Sequence, residues 1–326
     1  MFSRERHHKS VADSSRHRGA TAAHFIAPLA VIALVAITAW LEFDARAAAR
    51  SAVRDYAEAA ASRYLQHVTT LLRSHLVAST APVRDLRASP GDSLPHPRVL
   101  FARAWQCNCG AMGDALFTFR YDFDDGRLVP DRELVAPVLR SLARHVPQAL
   151  PQITENANPT ANGTDEVLPK TAMIVFDTVA SQPFVLSYAL IADATNRPRA
   201  LYGVATDAND FRGAYEKLAA TDSLLAPSVT KGRPNDSLMV IRATDATTGT
   251  IFERLAPLPS GGVVHVDTLD AWLGAQVVTV ALRPEFVKEL QAGGAAVAPR
   301  PLQLVLLGIA AALSLLTLKF RRRRVY

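Results

Sequence analysis

Residues 184–205 read FVLSYALIADATNRPRALYGVA. Two apolar runs, Phe184–Ala192 and Ala200–Ala205, flank Asp193–Arg199, whose Asp, Thr, Asn and Pro favour a turn. The pattern predicts a strand, a polar loop and a returning strand, the grammar of an antiparallel pair.

The same texture extends in both directions. Upstream, Ala172–Asp177 and Ala115–Tyr121 read as strands. The second ends in Asp122-Phe123-Asp124-Asp125-Gly126-Arg127, where Asp-Gly is a hairpin signal, and Leu128-Val129 starts the return. Arg132–His145 reads as a helix, and the polar stretch Pro151–Pro169 as a long surface loop. Downstream, Asn209–Ala220 is helical. A smaller set follows Pro227: a hairpin of Ser237–Ala243 with Thr250–Arg254, strands at Val263–Val266 and Ala275–Leu282, and a helix over Pro284–Gln291. Proline suits that helix's start, and Gly293-Gly294 is expected to end it. Antiparallel strands with few helices give an α+β class.

Ahead of the strands, Leu29–Ala81 contains neither glycine nor proline and is rich in Ala, Leu and Arg, which predicts one long helix. Ala57, Ala61, Tyr64, Val68, Leu71 and His75 recur by four and three, and Leu65, Leu72 and Leu76 widen the stripe. Arg54, Asp55, Glu58 and Arg63 fall largely off it. Such a stripe packs on its own domain, and heptad spacing with small residues also suits a homodimer seam.

Phe25–Leu41 and Pro301–Leu318 contain no Asp, Glu, Lys or Arg. As helices rising about 1.5 Å per residue they come close to the ~30 Å hydrocarbon thickness of a bilayer, with Trp40, Lys319 and Arg321 at its interfaces. Arg4, Arg6, Lys9, Arg16 and Arg18 precede the first run, and Lys319 and Arg321–Arg324 follow the second. Positive charge outside both runs predicts cytoplasmic termini, with residues 42–300 on the outer side of the membrane. Ala45-Arg46-Ala47 has the small-residue spacing of a signal-peptidase site, but the apolar run before it is longer than a signal core and charges intrude. The expected divisions are a basic tail (1–24), a first span (25–41), an amphipathic helix (42–80), a membrane-distal module (81–225), a smaller proximal module (226–300), a second span (301–318) and a basic end (319–326).

The two tails supply more positive charge than the chain's net +6, so the middle has no basic bias to attract nucleic acid. The patterns of serine hydrolases, zinc proteases, dithiol oxidoreductases and Walker-type nucleotide sites are absent, so no enzyme and no cofactor is expected. His67 and His75 lie eight residues apart on one helix, too far for one metal ion by one-turn spacing.

The long helix Asp44–Thr80, the pair Ser187–Ala192 and Leu201–Ala205 with Asp207 behind it, and Val277–Phe286 leading to the second run together resemble the input half of membrane-bound sensor histidine kinases with a PAS-like or Cache-like periplasmic module. The resemblance covers nearly the whole chain in layout. It implies two transmembrane helices flanking a mixed antiparallel sheet, a homodimer, a small-molecule ligand and a cytoplasmic kinase or response-regulator system. No phosphoacceptor segment or nucleotide loop follows the second run, so the expectation is either the input portion of a longer product or a receptor that works through a separate membrane partner. The rival reading is a membrane-anchored scaffold whose exterior binds a partner protein.

The resemblance also nominates ligand contacts on the sheet: Arg120, Tyr121, Tyr188, Tyr202 and Asp207. A carboxylate facing aromatic rings suits an ammonium group, and an arginine suits a carboxylate. Against this, tyrosines on strands commonly pack, and Asp207 is placed to cap the helix after it. Cys107 and Cys109 stand two apart on the oxidising side, where they can form a strained redox-active ring, a structural or intersubunit disulfide, or remain thiols.

Overall fold

A computed structural model describes residues 9–84, 86, 93–105, 115–155, 172–179, 182–193, 197–221, 223–246, 248–254, 262–296 and 308–309. The chain divides into two units, Met1–Val53 with Val287–Tyr326, and Arg54–Phe286.

Helix α1 runs unbroken over Lys9–Arg84, 76 residues. In the first unit its large apolar side chains face outward: Ile32, Val35, Ile37, Trp40 and Phe43 are each more than half exposed. Among the described residues no helix is long and apolar enough to cross a membrane. The expected second span, 301–318, lies outside the described residues except for 308–309.

In the second unit α1 becomes one-sided, as its periodicity dictates. Ala57, Ala60, Ala61, Tyr64, Val68, Leu72, His75 and Leu76 are buried, while Arg54, Asp55, Glu58 and Arg63 are exposed. Leu65 and Leu71, expected within the stripe, sit at its half-buried margins. The Tyr64 hydroxyl donates to the Tyr215 carbonyl at 3.3 Å, and His75 meets the Phe211 ring edge-on at 4.8 Å.

The same unit holds two antiparallel sheets. The first comprises β1 (Ala115–Asp122), β2 (Arg127–Pro130), β3 (Ala172–Val179), β4 (Gln182–Ala192) and β5 (Pro198–Asp207), in the order β2-β1-β5-β4-β3. The second comprises β6 (Met239–Asp245), β7 (Gly249–Arg254), β8 (Val263–Thr268) and β9 (Val277–Leu282), in the order β7-β6-β9-β8. This is a mixed α+β architecture with a long N-terminal helix. Strands β4 and β5 pair in the middle of the first sheet: Tyr188 opposes Gly203, and Ala189 opposes Tyr202.

Both strands of that pair are buried on both faces, so each side of the sheet needs a cover. On one face Ala189, Ile191, Ala200, Tyr202 and Val204 form a core with Val83 of α1 and Phe101 of α2 (Pro97–Trp105). The opposite face carries an aromatic ladder in which Phe117 meets Phe184 and Phe119 meets Tyr188, both edge-on. Gly203 makes the ladder possible. A Cβ there would stand 2.3 Å from the Phe119 ring, which lies directly over the glycine.

Helix α3 (Ala136–Glu155) packs on the edge strands β2 and β3, and α4 (Ala208–Thr221) touches both sheets. Within α4, Phe211 meets Phe176 of β3, and Tyr215 lies beside Phe252 of β7. The Tyr215 hydroxyl donates to Gln276 at 2.6 Å. Short helices α5 (Pro227–Thr230) and α6 (Asn235–Leu238) lead into β6, and α7 (Pro284–Ala296) follows β9.

Three expectations are corrected. Helix α3 starts at Ala136 and passes through Pro147 and Pro151, so residues 151–155 are helical instead of opening a loop. The two prolines are one turn apart and exposed, which leaves the carbonyls they free on the solvent side. Helix α7 continues past Gly293-Gly294 to Ala296, because an interior glycine costs only about 1 kcal/mol. Strand β6 begins at Met239, since residues 235–238 form a helical turn. The rest of the expected 156–169 loop lies outside the described residues.

Two predictions follow from this packing. Gly203→Ala forces the Phe119 ring out of the ladder and costs about 3 kcal/mol of stability, read as a lowered denaturant midpoint. Burial pulls His75 from 6.5 down to about 4, so between these values the folded chain holds fewer protons than the unfolded one. Stability therefore falls as pH drops from 6.5 towards 4, by about 3 kcal/mol from this group, and denaturant titrations of His75→Leu show a correspondingly flatter pH slope.

Candidate functional site

The side chains nominated from sequence divide between two faces of the first sheet, because strand neighbours alternate. Arg120 of β1 and Tyr202 of β5 are register partners on the face that holds Val83 and Phe101. The Arg120 Nη2 donates to Asp122 Oδ2 at 2.8 Å, and its Nη1 donates to the carbonyls of Leu94 at 2.6 Å and Pro95 at 3.0 Å. The Tyr202 hydroxyl donates to the same Pro95 carbonyl at 2.7 Å. Burial pushes the Tyr202 phenol up to about 12, with Arg120 partly offsetting it. These groups form a clamp that ties the segment before α2 to the sheet.

Tyr121 and Tyr188 project from the opposite face. Tyr121 packs edge-on against Phe123 with centroids 5.3 Å apart. Tyr188 is fully buried against Phe119; burial, and then the charge of the nearby Asp177, oppose its ionisation. Asp207 closes β5 and accepts from the Asn209 backbone N–H at 2.8 Å and its Nδ2 at 3.0 Å, organising the start of α4. The structure thus brings Arg120 together with Tyr202, and leaves Tyr121, Tyr188 and Asp207 elsewhere. Cys107 and Cys109 lie outside the described residues.

A cavity of about 250 Å³ opens beside α4, lined by Arg212 and Glu216 of α4, Asp236 of α6, and Phe252, Glu253 and Arg254 of β7. Arg212, Arg254, Glu216 and Asp236 bring charges of both signs to it beside Phe252, while the Glu253 carboxylate alternates to the other face of β7. Arg254 donates to the Glu216 carbonyl and to Asp236 Oδ2, each at 3.2 Å. Glu253 is paired with Arg242 of the neighbouring strand. The sequence reading missed this group because its members come from three elements that only the fold assembles. Arg212 and Glu216, one helical turn apart, were its only local signal. Among the described residues no cluster of three or more metal-binding side chains is present.

No protein-family model and no curated protein sequence matches the chain. Solved structures with similar features are chemoreceptor sensory domains. The sensory domain of the Campylobacter jejuni chemoreceptor Tlp3 (CcmL), with isoleucine bound, is 10% identical with a TM-score of 0.40, covering 74% of this chain and 97% of that one. The ligand-binding domain of the Pseudomonas aeruginosa PAO1 amino acid chemoreceptor PctB, in complex with L-Arg, is 9% identical with a TM-score of 0.38, covering 72% of this chain and 95% of that one.

The clamp predicts a modest structural effect. Tyr202→Phe removes one hydrogen bond while Arg120 continues to serve the Pro95 carbonyl, so stability falls by about 1 kcal/mol in denaturant titration.

Proposed function

We propose that the chain is the sensing part of a bacterial inner-membrane receptor, with a PAS-like or Cache-like periplasmic module that binds a small ligand. In this reading Phe25–Leu41 and Pro301–Leu318 span the membrane and both termini are cytoplasmic. The protein acts as a homodimer and passes its signal to a kinase-type output outside this sequence.

The observation that carries the proposal is the character of α1. One unbroken helix carries an uncharged, largely apolar and mostly exposed stretch at Ile32–Leu41, as a lipid-embedded segment does, and a single buried stripe from Ala57 to Leu76. Its backbone hydrogen bonds are internal, so displacement of the stripe by a rearranged sheet is transmitted along the helix.

Two measurements test this. In spheroplasts, external protease cleaves within residues 42–300 of the full-length chain; complete protection of that region overturns the assignment. In a fusion to a kinase output, inserting two glycines after Thr69 abolishes the response to the stimulus, and an unchanged response rules out transmission along α1.

A further inference from the structure

We infer that the cavity beside α4 binds a small zwitterion, a molecule carrying one carboxylate and one ammonium group a few ångströms apart with a short apolar body. This rests on the reading of the chain as a ligand sensor and supplies a site and a ligand class.

The charges lining the cavity are unequally engaged. Arg254 is held by Asp236 and the Glu216 carbonyl, and Glu253 by Arg242. Arg212 and Glu216 line the same space, and among the described residues their side chains make neither a hydrogen bond nor an ion pair. Their order on the helix explains this. An acidic residue four positions before a basic one pairs well, whereas the reverse order found here pairs poorly. A guanidinium and a carboxylate about 6 Å apart at Cβ are therefore both available to something else.

The sign of the lining decides the ligand class. A simple anion reaching Arg212 must approach the carboxylates of Glu216 and Asp236. A simple cation reaching Glu216 must approach Arg212 and Arg254. A molecule bearing both charges meets an opposite partner at each end, its carboxylate on the two-pronged Arg212 and its ammonium on Glu216. Phe252 supplies an apolar wall, and the volume suits a ligand smaller than a typical drug-sized molecule. The occupant would bridge α4 to β7, and α4 is the helix that also touches β4, β5 and, through Phe211, His75 of α1.

The test is calorimetric titration of the purified full-length chain in lipid nanodiscs with each of the twenty L-amino acids. The best binder is then compared with its amide, which lacks the carboxylate, and its N-acetyl derivative, which lacks the ammonium group. The expected result is saturable binding of at least one amino acid, weakened at least tenfold in both derivatives. Arg212→Gln and Glu216→Gln weaken it at least tenfold as well, while Lys217→Gln, on the same helix outside the cavity lining, leaves it unchanged. Both cavity positions are solvent-exposed, and unaltered thermal midpoints of the unliganded variants confirm that they fold. Absence of binding by all twenty, or binding indifferent to either substitution or to loss of either charge, overturns the site. If binding behaves as expected but the kinase fusion ignores the same amino acid, the site stands and the receptor reading falls. If the fusion responds equally in wild type and both variants, the receptor reading stands and this site falls.

Discussion

Two adjacent strands with no face left for solvent dominate this structure. In β4 and β5 nearly every side chain is buried, so the first sheet is stable only when both of its sides are covered. Val83 of α1 and Phe101 of α2 contribute to one side, and the opposite side closes with an aromatic ladder. The ladder in turn depends on a missing side chain. At Gly203 the Phe119 ring occupies the space a Cβ would need, which brings it edge-on to Tyr188 two strands away.

Helix α4 is the junction of the Arg54–Phe286 unit. Phe211 meets β3 and α1, while Tyr215 accepts a hydrogen bond from Tyr64, donates one to Gln276 and packs beside Phe252. A shift of this helix therefore disturbs both sheets and the buried stripe of α1 at once. Its outward edge carries Arg212 and Glu216 into the charged cavity, which places a candidate binding site on a helix that touches both sheets and α1.

The polar groups of the first sheet have a different role. Arg120 looks in sequence like a free cation on a strand, ready for an anionic ligand. In the fold it is enclosed by Asp122 and two carbonyls, with Tyr202 serving one of the same carbonyls. A segment without regular structure before α2 has backbone acceptors that must be satisfied near the core, and the arginine and tyrosine supply the donors.

Local pattern was enough for the α+β class, the positions of the described strands apart from the start of β6, and the stripe on α1, because alternation, turn formers and helical periodicity are written in neighbouring residues. It misjudged α3 and α7, where prolines and glycines read as helix ends but lie where their cost is small. Which strands became neighbours, which side of the sheet each nominated residue faced, and which charges found partners were decided only by tertiary structure. Arg120 and Leu94 are 26 residues apart, and Arg212 and Arg254 are separated by two further helices and a strand. No short-range pattern encodes contacts of that length, because they exist only once the buried faces have been covered.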